Sequence, residues 1–346
     1  MSRIHKRSED IRQFILMNLE EHPKDVVSLA AQEFGVSRQA INKHIQYLVG
    51  KQAIVVEGST KNRSYHLHLL VDWNKAYSLT KKLEEDVVWD ADIKSLIADL
   101  PKNVRDIWQY GFTEMLNNAI DHSSGKVVSI QVKRTAINTE IIIMDNGEGI
   151  FKKIQREKQL KDERHAVLQL AKGKLTTDPD RHSGQGIFFT SWMFDKFDIL
   201  SGDVYYYHLF NHTKNVVLTE DYSILGTLVG MKLNNDTSRT SKQVFDEFSS
   251  VGDDDYDFIK TVVPVYLVQS GDESLVSRSQ AKRLLSGVDK FKVVVFDFSG
   301  VEAIGQAFAD EIFRVFRKQH PDIEVTSLNT TKEVAQMISR AENTNI

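Results

Sequence analysis

Glu114, Asn118 and Asp121 are the residues whose types and spacing most directly invite chemistry. They stand in the run Phe112-Thr-Glu-Met-Leu-Asn-Asn-Ala-Ile-Asp-His122 at i, i+4 and i+7. At about 100° per residue this spacing puts them on one face of a helix. A carboxylate one turn from a carboxamide suits phosphate chemistry on a metal-bound nucleotide. Asn118 can hold a Mg²⁺ ion, and Glu114 can orient or deprotonate a water. Mg²⁺ keeps most of its ligands as water and phosphate, so one protein oxygen is enough. Met115, Ala119 and His122, with Phe112, share a neighbouring face. That strip is expected to pack while the polar strip looks into a cavity.

A second stretch follows the apolar run Ile141-Ile-Ile-Met144, a buried strand by composition. It is Asp145-Asn-Gly-Glu-Gly-Ile150. Asp145 at the strand end can accept a hydrogen bond from the exocyclic amine of a base. Gly147 and Gly149 have no Cβ, so backbone there can pass close to a ligand. Taken alone, Asn146-Gly147 also reads as a type I′ hairpin turn. A calcium loop fails on its positions, because glycines replace ligands and Ile150 stands where that loop needs glycine.

Further on come Gly184-Gln-Gly186, opening an expected helix, and Gly226-Thr227 before the strand Leu228-Val-Gly-Met-Lys-Leu233. The four pieces in this order resemble the GHKL (Bergerat-fold) ATPases, which include gyrase, mismatch-repair ATPases, histidine kinases and anti-sigma-factor kinases. The resemblance covers about residues 75–235. It implies an α/β two-layer sandwich that binds ATP and Mg²⁺. Glu114 would be the catalytic residue and Asn118 the metal ligand. Asn118, Asp121, Asp145, Gly147, Gly149, Gly184, Gly186 and Thr227 would contact the nucleotide. The charged interval from Phe151 to Ser183 would be a mobile cover with little apolar anchorage, and Lys172, Lys174, Thr176 and Thr177 would be able to reach phosphate.

The chain's 346 residues suggest two or three domains, each with its own core. It has no cysteine, which excludes a disulfide scaffold and a Cys-based zinc site. The first residues carry no apolar core behind their charges, and no apolar run approaches the ~20 residues of a membrane span. A cytoplasmic protein without membrane contact is expected. A net charge of −4 says little about partners, because the charge is unevenly distributed.

Residues 1–70 read as a separate small domain. Ile11 to Leu19 and Val27 to Phe34 are amphipathic helices. Gly35 ends the second, and Ser37 caps a third that runs to Leu48. Ala40, Ile41, Ile45 and Leu48 point inward by period, leaving Arg38, Gln39, Asn42, Lys43 and Gln46 outward. No acidic residue lies between Val36 and Leu48, which suits a helix entering a groove lined by phosphates. A hairpin over 53–69 carries Lys61 and Arg63 at its tip. The arrangement resembles the winged helix-turn-helix domains of transcription regulators and implies duplex DNA as partner, with a protein-interaction or dimerisation module as the alternative. His66 and His68 lack a third ligand and read as surface or packing residues.

Residues 71–110 read as helical, with 71–100 a connector into an ATP-binding domain at 101–235. The connector holds no histidine, which argues against the phospho-histidine relay of sensor kinases. Residues 236–258, rich in Asn, Asp, Ser and Thr and containing Asp253-Asp-Asp255, read as a linker. From 259 to 346 strands and helices alternate, as in a small α/β layer domain. Val293 to Gly305 resembles STAS domains, the fold of anti-anti-sigma factors. Where that family carries a phosphorylatable serine, this chain runs Ala303-Ile-Gly-Gln-Ala-Phe308. A docking role toward a protein partner, or within the chain, is therefore expected over a phosphorylation switch. A homo-oligomer is compatible with this reading. The expected fold is multidomain α/β, and the expected function is an ATP-dependent switch coupled to DNA and to a protein partner. The alternative is a protein serine/threonine kinase of the anti-sigma-factor type.

Overall fold

The structure is a computed structural model that describes residues 3–59, 62–175, 184–210, 216–250, 257–269 and 274–343. The fold is multidomain and mixed α/β. One unit holds Met1–Lys75, Gln131–Ile141 and Leu233–Thr237; the other holds Ala76–Ile130, Ile142–Lys232 and Ser238–Ile346. Among the described residues no helix is long and apolar enough to cross a membrane.

Three helices and a hairpin form the N-terminal part of the first unit: α1 (Arg3–Asn18), α2 (Val26–Phe34), α3 (Arg38–Gly50), β1 (Ile54–Glu57) and β2 (Ser64–Leu67). Gly35 takes φ 61°, and its N–H closes the end of α2 on Gln32. Only a residue that tolerates the left-handed region ends a helix so tightly. Two residues later Ser37 Oγ accepts from Ala40 N at 3.2 Å and starts α3. Ile15, Val26, Ala30 and Ile41 are fully buried, joined by Leu19, Ile45, Leu48, Ile54 and Tyr65. Truncating Ile41 to alanine removes a residue from the centre of this cluster, at a cost of about 2–5 kcal/mol. β1 and β2 pair antiparallel from Ile54↔Leu67 to Glu57↔Ser64.

A five-stranded sheet has the order β3-β4-β5-β7-β6, from β3 (Val71–Ser78), β4 (Val127–Arg134), β5 (Asn138–Asp145), β6 (Lys196–Leu209) and β7 (Val216–Asn234). The strand at β3 corrects the expectation of a helical connector from residue 71. Val71, Trp73 and Tyr77 alternate with polar residues, and that period of two, rich in aromatic side chains, belongs to a strand. Helix begins only at α4 (Glu85–Val88), which runs into a π turn at Trp89–Ile93 and a 3-10 turn at Lys94–Ile97. Pro101 then caps α5 (Lys102–His122).

α5 packs on α8 (Gly186–Met193). The close approach is made at Gly111, where a Cβ would lie 2.4 Å from the Phe194 ring. Trp108 stacks edge-on against the same ring at 4.7 Å. α6 (Ile150–Lys158) packs on α7 (Glu163–Lys172), and Phe151, Ile154, Ala166, Val167, Leu168 and Leu170 are buried. The described part of 151–183 is therefore anchored helix, which corrects the expectation of a cover with little apolar contact. Its apolar residues are few but fall at helical spacing among the charges. The linker reading of 236–258 also needs correction. Thr240 and Gln243 form a capping box that starts α9 (Ser241–Phe248), with Val244 and Phe248 buried. The Asp253-Asp-Asp255 run lies outside the described residues.

The C-terminal part of the second unit is a parallel three-stranded sheet of order β10-β9-β8, from β8 (Lys260–Pro264), β9 (Val293–Asp297) and β10 (Glu324–Leu328). Around it lie α10 (Arg278–Leu285), α11 (Gln306–Asp310) continuing through a π turn into α12 (Arg317–Gln319), and α13 (Lys332–Asn343). Val294, Phe296, Phe308, Ile312 and Val334 are fully buried between sheet and helices. This is the alternation of strand and helix expected for 259–346.

Candidate functional site

β5 alternates Thr139, Ile141, Ile143 and Asp145 toward the interior, so the last inward position at the strand's end is a carboxylate. Asp145 is 5% exposed, and its Oδ1 accepts from Gly147 N at 2.8 Å. Burial raises its pKa above the ordinary carboxylate range, while hydrogen bonds from Gly147 and Thr227 pull against that shift. Thr227 on β7 also accepts from Ile150 N at 3.0 Å and so fixes the start of α6.

A cavity of about 260 Å³ opens beside this carboxylate. α5 supplies Glu114, Met115, Asn118, Ala119 and His122 to its wall, β5 supplies Ile143 and Asp145, and β7 supplies Thr227 and Val229. α6 adds Lys153, α7 adds Leu170, and Leu175, Gly184, Gly186 and Ile187 complete the other side. Gly186 opens α8, and a Cβ there would lie 1.9 Å from Glu114 Oε2, so the carboxylate occupies the space a side chain would take. A carboxylate at a helix N-terminus is electrostatically favoured. Burial raises the pKa of the neighbouring Tyr110, and the Glu114 charge adds to the shift.

The expected residues are only partly brought together. Glu114, Asn118, Asp145, Gly184, Gly186 and Thr227 line one cavity. Asp121 does not; it is exposed at the far end of α5. The helical wheel gives the reason. Setting Glu114 at 0°, the lining residues of α5 run from Glu114 through Asn118, His122 and Met115 to Ala119 at about 140°, and Asp121 falls just outside that arc, near −20°. Met115, Ala119 and His122 of the strip expected to pack inward face the cavity, with Asn118 and Glu114 on its polar side.

Gly147 and Gly149 also lie off the lining. A Cβ at Gly147 would lie 1.9 Å from the carbonyl oxygen of Ser123, and one at Gly149, where φ is 96°, would lie 2.7 Å from Ser201 Oγ. These glycines let loops close on one another behind Asp145. Neither Asn146 nor Gly147 has positive φ, and the chain proceeds into α6, so the type I′ hairpin is absent. Lys172 and Lys174 turn away from the cavity and donate to the carbonyls of Ser286 (2.8 Å) and Lys290 (3.1 Å). Thr176 and Thr177 lie outside the described residues.

Lys153 escaped the sequence reading. Its Nζ donates to the His122 carbonyl at 2.9 Å, placing an ammonium at the cavity wall. Its position three residues after Ile150, in the first turn of α6, is the signal that could have found it.

On the other unit, Arg38, Gln39, Asn42, Lys43 and Gln46 of α3 are exposed while Ile41, Ile45 and Leu48 are buried, as the period requires. Arg63 is exposed just before β2, and Lys61 lies outside the described residues. Tyr47, on the same helix, has the Arg12 guanidinium 3.6 Å from its ring centre.

A family model described as a STAS-like domain of unknown function (DUF4325) matches residues 280–335. The chain carries a STAS-like domain at its C-terminus, and the match lies within the parallel-sheet region described above. No curated protein sequence matches the chain.

Proposed function

We propose that the chain is an ATP-dependent regulatory switch whose nucleotide site is the cavity between α5, β5, β7 and α8. The observation that carries the reading is convergence. Six residues from four separate stretches, Glu114, Asn118, Asp145, Gly184, Gly186 and Thr227, meet around one cavity. The residues fit the group they would hold: a buried carboxylate for a base amine and a carboxamide for Mg²⁺. Bound Mg²⁺ would neutralise charge on the phosphates. Asp145 binds and orients the base through its hydrogen-bonded carboxylate. The apolar wall of Ile143, Met115, Val229 and Ile187 excludes water from that end. Glu114, held against the start of α8, positions a water or takes its proton.

The exposed, acid-free face of α3 and the neighbouring Arg63 support duplex DNA as a ligand of a winged helix-turn-helix. The STAS-like domain supports a protein partner. Incubating the pure chain with γ-labelled ATP tests the enzymatic half. Label released as free phosphate supports the switch. Label retained on protein supports a serine/threonine kinase instead. Neither product, with no binding by calorimetry, removes the nucleotide reading.

A further inference from the structure

α7 ends in a short segment with two very different sides. On one side Leu170 and Leu175 belong to the cavity wall, and Leu175 N donates to the Gly184 carbonyl at 3.2 Å. On the other side the segment is tied to the STAS-like region. Lys172 is 1% exposed, and its Nζ donates to the carbonyls of Arg283 (3.3 Å) and Ser286 (2.8 Å) at the end of α10. Its own carbonyl accepts from Thr261 Oγ1 of β8 at 2.7 Å. Gly173 takes φ 78°, and a Cβ there would lie 2.7 Å from the Phe258 ring. Lys174 donates to the Lys290 carbonyl and stands 5.1 Å from the centre of the Phe291 ring.

We propose that residues 170–175 are a strap through which the STAS-like domain sets the shape of the nucleotide cavity in its own chain. The inference rests on the nucleotide reading above. A ligand that presses on Leu170 or Leu175 cannot move them alone, because Lys172 is bonded into the end of α10 and Gly173 is fitted against Phe258. Leaving a buried donor or acceptor without its partner is costly, so the segment and α10 shift together. Coupling of this kind is reciprocal: whatever engages the STAS-like domain and moves α10 changes nucleotide affinity by the same factor.

Amide hydrogen exchange on the full chain, with and without Mg·ATP, tests the strap, with calorimetry run on the same samples. Amides of residues 278–291 should exchange at least about fivefold more slowly with Mg·ATP, at the low end of typical coupling. In Lys172→Ala and in Thr261→Val the ratio should fall toward one. Thr261→Val removes one hydrogen bond with little change of shape, so it carries the test if Lys172→Ala does not fold. Nucleotide binding with no change at 278–291 in the unmodified chain overturns the strap and leaves the nucleotide site standing. An unchanged ratio in Thr261→Val also overturns it. Absence of calorimetric binding overturns both readings.

Discussion

At the scale of single residues, the proposed nucleotide site gives Asp145, Asn118 and Glu114 three separable roles. Asp145→Ala should weaken ATP binding by roughly one to two orders of magnitude, because a charged acceptor is worth on the order of 1.5–3 kcal/mol. Asn118→Ala should weaken Mg·ATP more than metal-free ATP, which calorimetry with and without Mg²⁺ separates. Since burial raises the Asp145 pKa, its carboxylate takes up a proton at a pH above the ordinary carboxylate range. Acidification through that raised pKa removes the acceptor, so ATP affinity should fall there. Asp145→Asn should show a flatter profile over the same range, which separates this titration from that of the phosphates. Glu114→Ala should still bind ATP while turnover drops by ~10²–10⁴. Gly186→Ala should reproduce part of that loss, roughly 10–10²-fold, because its methyl displaces the Glu114 carboxylate without touching Asp145. A phosphate-release assay on both variants decides it, and a fully active Gly186→Ala would remove Glu114 from the reaction. Asp145 and Asn118 were legible in the sequence because a strand's alternation and a one-turn spacing survive in any packing. The spacing that sets Asp121 on the Glu114 face leaves open which direction the cavity lies, and Asp121 falls off its lining.

Among the elements, α7 is the one the sequence hid most completely. The charged run of 152–164 ends inside its first turn, and the burial comes from Val167, Leu168 and Leu170 after it. β3 and α9 were hidden for related reasons. The first is half polar and none of its residues is buried, and the second starts inside a stretch whose composition suggests a linker. Elements with strong local signals were readable to within a residue or two: Gly35 and Ser37 around α2 and α3, Pro101 before α5, and the apolar run of β9. Lys172 gives α7 a measurable signature. Burial pushes its amine down to about 7 from an ordinary 10.5. As a neutral amine it has two N–H donors, matching the carbonyls of Arg283 and Ser286. The unfolded chain binds this proton up to pH 10.5 and the native state only to about 7, so this group makes stability rise with pH between them. Below pH 7 the full cost of the buried charge remains. Lys172→Met should flatten that rise in urea titrations at pH 6 to 10 and gain most stability at the acid end. A steeper rise in the variant would contradict the assignment.

For the whole molecule, three features share one chain: a cavity lined by Glu114, Asn118 and Asp145, a helix face without acids and a STAS-like domain. If α3 meets DNA, the intact chain should bind random duplex with an affinity that falls steeply as salt rises, because each neutralised phosphate releases counterions. Replacing Arg38, Lys43 and Arg63 together by alanine should lower the salt slope by about 3. Fluorescence anisotropy at several salt concentrations reads both quantities. No binding at low salt would leave α3 as a protein-contact face.

The position of β3 in its sheet also constrains how the chain is made. Leu70 N donates to the Arg134 carbonyl and Leu79 N to the Lys126 carbonyl, so β3 runs antiparallel to β4. About fifty residues separate the two strands in sequence. At a synthesis rate of ~5–20 residues per second, β3 leaves the ribosome roughly 3–10 s before its partner. The helices of residues 3–50 make mostly local contacts and can close while β3 waits with its backbone unpaired. An unpaired strand bearing Trp73 and Tyr77 is a template for other nascent chains. Substitutions in β3 should therefore show first as lost soluble yield at high expression temperature, before they show as lost activity.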